Sequence, residues 1–391
     1  MSRAPAVTTV LTISGHRQAA VDDSADFRSW SALGDRLGQV WCVWAGPHLA
    51  SDQGSLHVVR RPRVPGWRSI PWVVAAAWSG CRIVNTAKKR GETVVVNGGE
   101  PWGWLTAWLV SMVTRRPWLM DVHGDYLNLP VASVGRWRKF GLRRATIFFA
   151  RNASCRRVVA QSILDSFRMR EISAILVPPR LMPVWEEPLE RARPPLADGE
   201  LSLLVVGRLV PSKGYDLLLQ SLALLVADLP KVRLRVVGEG PERLKLEARA
   251  AELGVSDAVE FLGAGNVDDV RSALAISDLF IISSRDEGLP RTLLEAAAGG
   301  VPVVATSVGG IPAAAVEWMT VSVVPVEARA IAAAIREMAE VPPSAEELQA
   351  VRQKVLAAYG FGTNLDALAA VYREMVADDE VARGRETSTS T

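Results

Sequence analysis

A rhythm that runs twice constrains this chain more than any single motif. Over the first 180 residues, short β-branched runs ("VTTVLTI", "GQVWCVW", "ETVVVNG", "PWLMDVHG", "RRVVAQS", "SAILVPP") alternate with longer stretches of helical periodicity. After residue 200 the alternation begins again with "LSLLVVGRL", "VRLRVVGEG", "AVEFLGAG", "DLFIISS" and "VPVVATSVGG", separated by helical segments such as "YDLLLQSLALLVADL" and "PERLKLEARAAELG". Strands alternating with helices form βαβ units around a mostly parallel sheet. Two such series in 391 residues predict two α/β domains, each large enough for its own core.

The boundary follows from the backbone. Between the series lies "VPPRLMPVWEEPLERARPPLADGE", where Pro178, Pro179, Pro183, Pro188, Pro194 and Pro195 remove donors and interrupt regular pairing. The expected organisation is an N-terminal domain over 1–180, a Pro-rich segment over 181–200 and a second domain over 201–360. An amphipathic helix over 361–379 should pack back on the first domain, and a polar tail over 380–391 has no apolar periodicity and should be disordered.

Charge and cysteine usage exclude several classes. Lys and Arg number 45 against 42 Asp and Glu, so net charge does not call for a nucleic acid. Cys42, Cys81 and Cys155 are odd in number, widely spaced and without a CxxC pair, which argues against a disulfide framework or zinc site and fits a cytoplasmic location. The apolar run Val7 to Ile13 is short for a signal core, and "PWGWLTAWLVSMV" (101–113) is short of the roughly 20 residues of a membrane span.

The chemistry concentrates in "SSRDEGLPRTLLEAAAGGVPVVATSVGG" (283–310). A buried strand, a loop containing Gly288 and a helix opening near Pro290 place helix-terminal N–H groups at the carboxyl edge of a parallel sheet, where phosphates bind. Glu287 in the loop and Glu295 in the helix accept hydrogen bonds from sugar hydroxyls, so the ligand expected here carries both sugar and phosphate. The cations come from "VVGRLVPSKGYD": Arg208 follows Gly207 at a strand end, and Lys213 lies five residues on. Guanidinium and ammonium together offset the charge of a departing diphosphate without a metal. A nucleotide-diphosphate sugar satisfies every part.

With these residues in place, "GRLVPSKG", "EGLPRTLLE" and "GGVPVVATSVGG" resemble the retaining glycosyltransferases of family 4, which have the GT-B fold of two Rossmann-like domains facing a cleft. The resemblance is strong over 200–312 and looser before it, where "DVHGD" places His123 at the family's histidine near the transferred sugar. It implies catalytic roles for His123, Arg208, Lys213 and Glu287. It implies donor contacts from Gly15, Gly207, Arg208, Lys213, Glu287, Gly288, Leu289, Pro290 and Glu295, with Glu287 on the sugar hydroxyls and Glu295 on the ribose. It also implies retention of anomeric configuration with no metal or other cofactor. The chain departs from the family pattern in its first βα loop, "TISGHRQAAVDD", which has a lone Gly15, and at Ala313 after Pro312.

The function expected is a hexosyltransferase-type retaining glycosyltransferase that uses a nucleotide-sugar donor and a glycan or lipid-linked acceptor in polysaccharide or glycoconjugate assembly. A small natural product as acceptor is an alternative. So is a non-catalytic GT-B subunit, or an epimerase acting on the donor alone. In "SVGRWRKFGLRRATIFFARNASCRR", Arg136, Arg138, Lys139, Arg143 and Arg144 accompany Trp137, Phe140, Ile147, Phe148 and Phe149. Two readings stand for 134–149: a helix on an anionic membrane surface at the inner face, or a solvated basic helix.

Overall fold

The computed structural model describes residues 8–17, 25–46, 49–62, 69–128, 136–191, 200–316 and 318–388. The N-terminal half is an eight-stranded sheet with strand order β3-β4-β2-β1-β5-β6-β7-β8. Its strands are β1 (Thr8–Arg17), β2 (Gly38–Ala45), β3 (Leu49–Gln53), β4 (Leu56–Arg61), β5 (Thr93–Gly98), β6 (Trp118–Val122), β7 (Cys155–Val158) and β8 (Ile175–Leu176). Every pair is parallel except β3 with β4. That hairpin, absent from the sequence reading, lies at the sheet edge, and the half-buried alternation along β4 is weaker than the apolar runs of the interior strands.

Helices cover both faces. On one, α2 (Ile70–Lys89), α3 (Pro101–Thr114), α4 (Arg136–Asn152) and α5 (Gln161–Arg168) share a core of Trp72, Ala76, Trp104, Val110, Phe149 and Phe167 with the strands. On the other, α1 (Ala25–Leu37) contributes Phe27, Leu33 and Leu37.

The C-terminal half is a six-stranded, all-parallel sheet of order β11-β10-β9-β12-β13-β14. It comprises β9 (Leu201–Val206), β10 (Val232–Val237), β11 (Val259–Gly263), β12 (Leu279–Ile282), β13 (Val303–Thr306) and β14 (Val321–Val324). The helices between them are α6 (Tyr215–Val226), α7 (Arg243–Glu252), α8 (Val267–Ala275), α9 (Arg291–Ala298) and α10 (Ile311–Ala315), followed by α11 (Ala328–Glu340) and α12 (Ala345–Tyr359). In this sheet the strand order reverses between β9 and β12, and in the first sheet between β1 and β5, so each sheet has one crevice at its carboxyl edge.

The last helix, α13 (Phe361–Ser388), returns to the first domain. Leu365, Leu368, Ala369, Tyr372, Met375 and Val376 fill the face left open beside α1. The expectation of a disordered tail from residue 380 is corrected here, since α13 continues through Ser388. Charge rather than apolar burial extends it: Asp379 Oδ1 accepts from Arg383 Nε at 3.1 Å, and Arg383 donates to the Arg115 carbonyl at 2.9 Å. Residues 389–391 lie outside the described residues. Of the Pro-rich segment, 181–191 is described and runs beside the return crossing: Leu181 N–H donates to the Tyr359 carbonyl at 2.8 Å, and Phe361 N–H to Glu186 Oε1 at 3.0 Å.

Because Leu365 is wholly buried between α13 and the first sheet, Leu365→Ala is expected to cost about 2–5 kcal/mol in denaturant unfolding. The exposed Glu374→Ala on the same helix should stay within about 0.5 kcal/mol of the parent. Equal effects would mean that the α13 seam carries no load.

Candidate active site

The loops that leave β9 and β12 meet at the C-terminal crevice. After Gly207 the chain makes a 3₁₀ turn over Pro211–Lys213 and enters α6 through Gly214, whose φ of +64° favours glycine. A Cβ there would lie 2.0 Å from the Ser283 carbonyl, so the two loops touch backbone to backbone. Hydrogen bonds secure the contact: Ser283 Oγ donates to the Lys213 carbonyl at 3.0 Å, and the Arg285 backbone N–H to the Ser212 carbonyl at 2.7 Å. The Arg285 guanidinium forks both Asp216 oxygens at 2.7 Å, holding that carboxyl below its ordinary range.

Within this frame Lys213 Nζ lies 2.5 Å from Glu287 Oε1, which also accepts from Ser284 Oγ at 2.7 Å. The Glu287 side chain is 10% exposed and that of Lys213 29%, so the pair is sheltered but reachable. Tyr215 donates to the Gly207 carbonyl at 2.7 Å beneath it. Arg208 is exposed at the rim. Pro290 is the N-cap of α9, and Glu295 is the helix's fifth residue, one turn in, on the same face as Thr292. Burial raises the Glu295 carboxyl above its ordinary range, with Arg291 partly opposing the shift.

Across the cleft a cavity of about 370 Å³ lies at the carboxyl edge of the first sheet, lined by Thr12, Asn97, His123 and Arg157 from one domain and Leu289 and Arg291 from the other. His123 Nε2 is 3.2 Å from Asp121 Oδ2, and Arg157 Nη1 donates to both Asp121 oxygens at 3.0 Å. Arg157 completes its valence on the Val177 and Pro178 carbonyls. Burial by itself would raise the Asp121 carboxyl; Arg157 and His123 reverse that and hold it well below the ordinary range. Asn97 Nδ2 donates to Thr12 Oγ1 at 3.0 Å, while its buried Oδ1 has no partner, leaving an acceptor in the cavity wall.

The two sides touch at Gly288, where a Cβ would lie 2.6 Å from the His123 carbonyl, so a larger residue would push the domains apart. Beside this contact, burial raises the Asp286 carboxyl, with Glu287 and Asp125 adding to the shift. Tyr126 is pushed up to about 12 by burial, Glu100 and Asp286.

The residues singled out from sequence therefore fall into groups. Lys213, Glu287, Gly207, Gly288, Leu289 and Pro290 converge at the crevice, and His123 faces them. Arg208 makes no ion pair or side-chain hydrogen bond among the described residues. Glu295 lies one turn into α9, where Arg291 is the charged group that acts on it. Gly15 lies near the end of β1, where pairing with β2 slips between Ser14 and Arg17. The sequence reading missed Arg157, Arg285 and Ser284. For Arg157 a signal was available: β7 carries two adjacent arginines, Arg156 and Arg157, which point to opposite faces of the sheet, and one that is buried has to be paired.

Comparison with known proteins fits this geometry. The family model described as "Glycosyl transferases group 1" matches residues 186–354. Residues 186–354 thus belong to the glycosyl transferases group 1. A D-inositol 3-phosphate glycosyltransferase of Geodermatophilus obscurus is 30% identical over 288 residues, covering 69% of this chain and 63% of that relative. The gpi3 subunit of the phosphatidylinositol N-acetylglucosaminyltransferase of Schizosaccharomyces pombe is 35% identical over 120 residues, 31% of this chain and 26% of its own length. The chain thus spans less than two thirds of either curated relative. Among solved structures, sucrose-phosphate synthase of Thermosynechococcus elongatus superposes with a TM-score of 0.74 at 19% identity, covering 95% of this chain and 99% of the other. HepE of Anabaena, solved in complex with UDP-glucose, superposes with 0.72 at 18% identity over 94% and 99%. These establish the fold of the chain as GT-B.

The Asp121 cluster has a pH signature. Its carboxyl is depressed in the folded state, so its stabilisation is complete above the unfolded value of 3.8 and is withdrawn as pH falls below it. Asp121→Asn should be less stable by about 3–5 kcal/mol at pH 7, because it leaves Arg157 buried with a neutral partner, and should show a flatter acid limb between about pH 5 and 2.5. Parallel curves in urea titrations across that range would remove Asp121 from the acid limb.

Proposed function

We propose that this chain is a retaining, metal-independent glycosyltransferase that moves a hexosyl group from a nucleotide-diphosphate sugar to a glycan or lipid-linked acceptor. Its place is peripheral, at the inner face of a membrane. The observation that carries this reading is the sheltered Lys213–Glu287 contact at the reversal point of the second sheet, with His123 facing it across the cleft. A cation held against a carboxylate at a sheet edge suits a ligand that presents phosphate to one and hydroxyls to the other. The solved GT-B relative that holds UDP-glucose lends support to a nucleotide-sugar donor.

In the proposed reaction the acceptor hydroxyl oxygen forms a bond to the anomeric carbon on the face from which the diphosphate departs. The carbon–oxygen bond to the β-phosphate breaks, and the acceptor proton passes to the leaving diphosphate oxygen. Arg208 and Lys213 stabilise the charge that accumulates on that oxygen, a contribution of the oxyanion-hole kind. Glu287 accepts hydrogen bonds from the sugar hydroxyls, Glu295 from the ribose, and backbone groups of Gly288, Leu289 and Pro290 lie against phosphate and sugar. His123, its ring held by Asp121, positions the transferred sugar.

Calorimetric titration with nucleoside diphosphates and their sugars tests the donor half: Arg208→Ala/Lys213→Ala should weaken the best ligand by about 100-fold or more, equivalent to two charge-assisted contacts. Donor turnover should survive EDTA. His123→Ala should lower turnover about 100-fold while donor affinity changes by less than about threefold. Donor binding that the double variant retains would overturn the site, and donor binding without transfer or hydrolysis would favour a non-catalytic subunit.

A further inference from the structure

The basic and apolar surface of the first domain extends well beyond the basic aromatic helix. Helices α2, α3 and α4 lie side by side on one face of the first sheet. Across the three, the sequence places nine basic residues and no Asp or Glu: Arg82, Lys88 and Lys89 on α2, and Arg136, Arg138, Lys139, Arg143, Arg144 and Arg151 on α4. The chain as a whole is close to charge balance, so this face is a segregated one.

Large apolar side chains stand outward among the basic ones. On α2, Ile70, Val74 and Trp78 recur every four residues and form one stripe, with Trp78 56% exposed and Arg82 stacked on its ring at 4.7 Å. On α4, Trp137 is 87% exposed, Phe140 55% and Phe148 46%, and Arg144 covers the Phe140 ring at 5.3 Å. Met112 and Val113 stand exposed at the end of α3 between them. Guanidinium groups stacked on exposed rings leave hydrocarbon and positive charge presented together, the combination that seats in the headgroup region of an anionic leaflet. Among the described residues no helix is long and apolar enough to cross a membrane, so such contact lies in the plane of the surface.

Orientation follows from topology. α3 leaves the carboxyl edge of β5, and α2 and α4 begin after β4 and β6, so all three start at the edge that carries the cavity of His123 and Asn97. Ile70, Val74, Trp137 and Phe140 occupy the first two turns of α2 and α4, closest to that edge. We infer that α2, α3 and α4 together form a bilayer-docking face for anionic lipid that sets the mouth of the cavity against the membrane, where the head of a lipid-linked acceptor enters without leaving the surface. This rests on the membrane part of the function proposed above and extends it from one helix to three.

Co-sedimentation of the full chain with sucrose-loaded vesicles tests it, read without donor or acceptor so that it is independent of catalysis. Vesicles of phosphatidylcholine with about 30% phosphatidylglycerol should pellet the protein, binding should fall at least tenfold between about 0.05 and 0.5 M salt, and pure phosphatidylcholine should bind weakly. Trp78→Ser on α2 and Trp137→Ser/Phe140→Ser on α4, all at exposed positions, should each reduce partitioning by about tenfold with an unchanged circular dichroism spectrum. Arg208→Ala/Lys213→Ala should pellet like the parent, so a failed donor site and a failed docking face are told apart. Absence of pelleting, equal binding to neutral vesicles, or full binding by Trp78→Ser would overturn the three-helix face.

Discussion

A parallel sheet delivers all its chain reversals of one kind to one edge, and in both sheets of this molecule the strand order turns back on itself there. Between β1 and β5, and between β9 and β12, neighbouring loops leave in opposite directions and open a crevice. Every group of chemical interest lies on those loops or on the strand ends beside them: Asn97 and His123 on one side, Gly207 to Gly214 and Ser283 to Pro290 on the other. The close approach of Gly288 to the His123 carbonyl brings the two crevices together, and it exists because Gly288 offers no side chain to obstruct it.

The charges at this junction are organised before any ligand arrives. Lys213 with Glu287 and Arg157 with Asp121 each draw ions out of bulk water and compensate them at hydrogen-bond distance, while Arg285 with Asp216 stays partly exposed. Such pairs add little to net stability once desolvation is counted, but breaking one is costly, so they hold geometry more than they hold the fold. The Asp121 pair differs from the other two in its burial, and it links the residue beneath His123 to the Val177 and Pro178 carbonyls, where the chain starts to leave the first domain.

Much of this was legible in the residues. Both series of parallel strands followed from short apolar runs, and the grouping of Lys213, Glu287 and Gly288 from residues placed at strand ends; the GT-B class followed from the resemblance of those motifs to a known family. What was not legible depended on distance in the chain. Arg157 and Asp121 are 36 residues apart, and nothing local pairs them. The β3–β4 hairpin is half-polar and sits at an edge, where little apolar patterning is required. The end of α13 lacks an apolar stripe and is held instead by Arg116, Arg115 and Asp379, contacts that exist only once the helix has returned to the first domain. The basic and aromatic residues of α4 were visible as a composition, but their alignment with α2 required the sheet that sets both helices on one face.

The chain passes between the domains twice, and the passages run side by side, tied by the Leu181–Tyr359 and Phe361–Glu186 hydrogen bonds. Two adjacent covalent crossings behave as the pin of a hinge. They resist twisting and sliding of one domain over the other while leaving rotation about the line of the pin inexpensive. The cleft therefore has one soft direction, and displacement along it grows with distance from Tyr359. A small change of angle at the crossings becomes a larger change of gap where Gly288 meets His123.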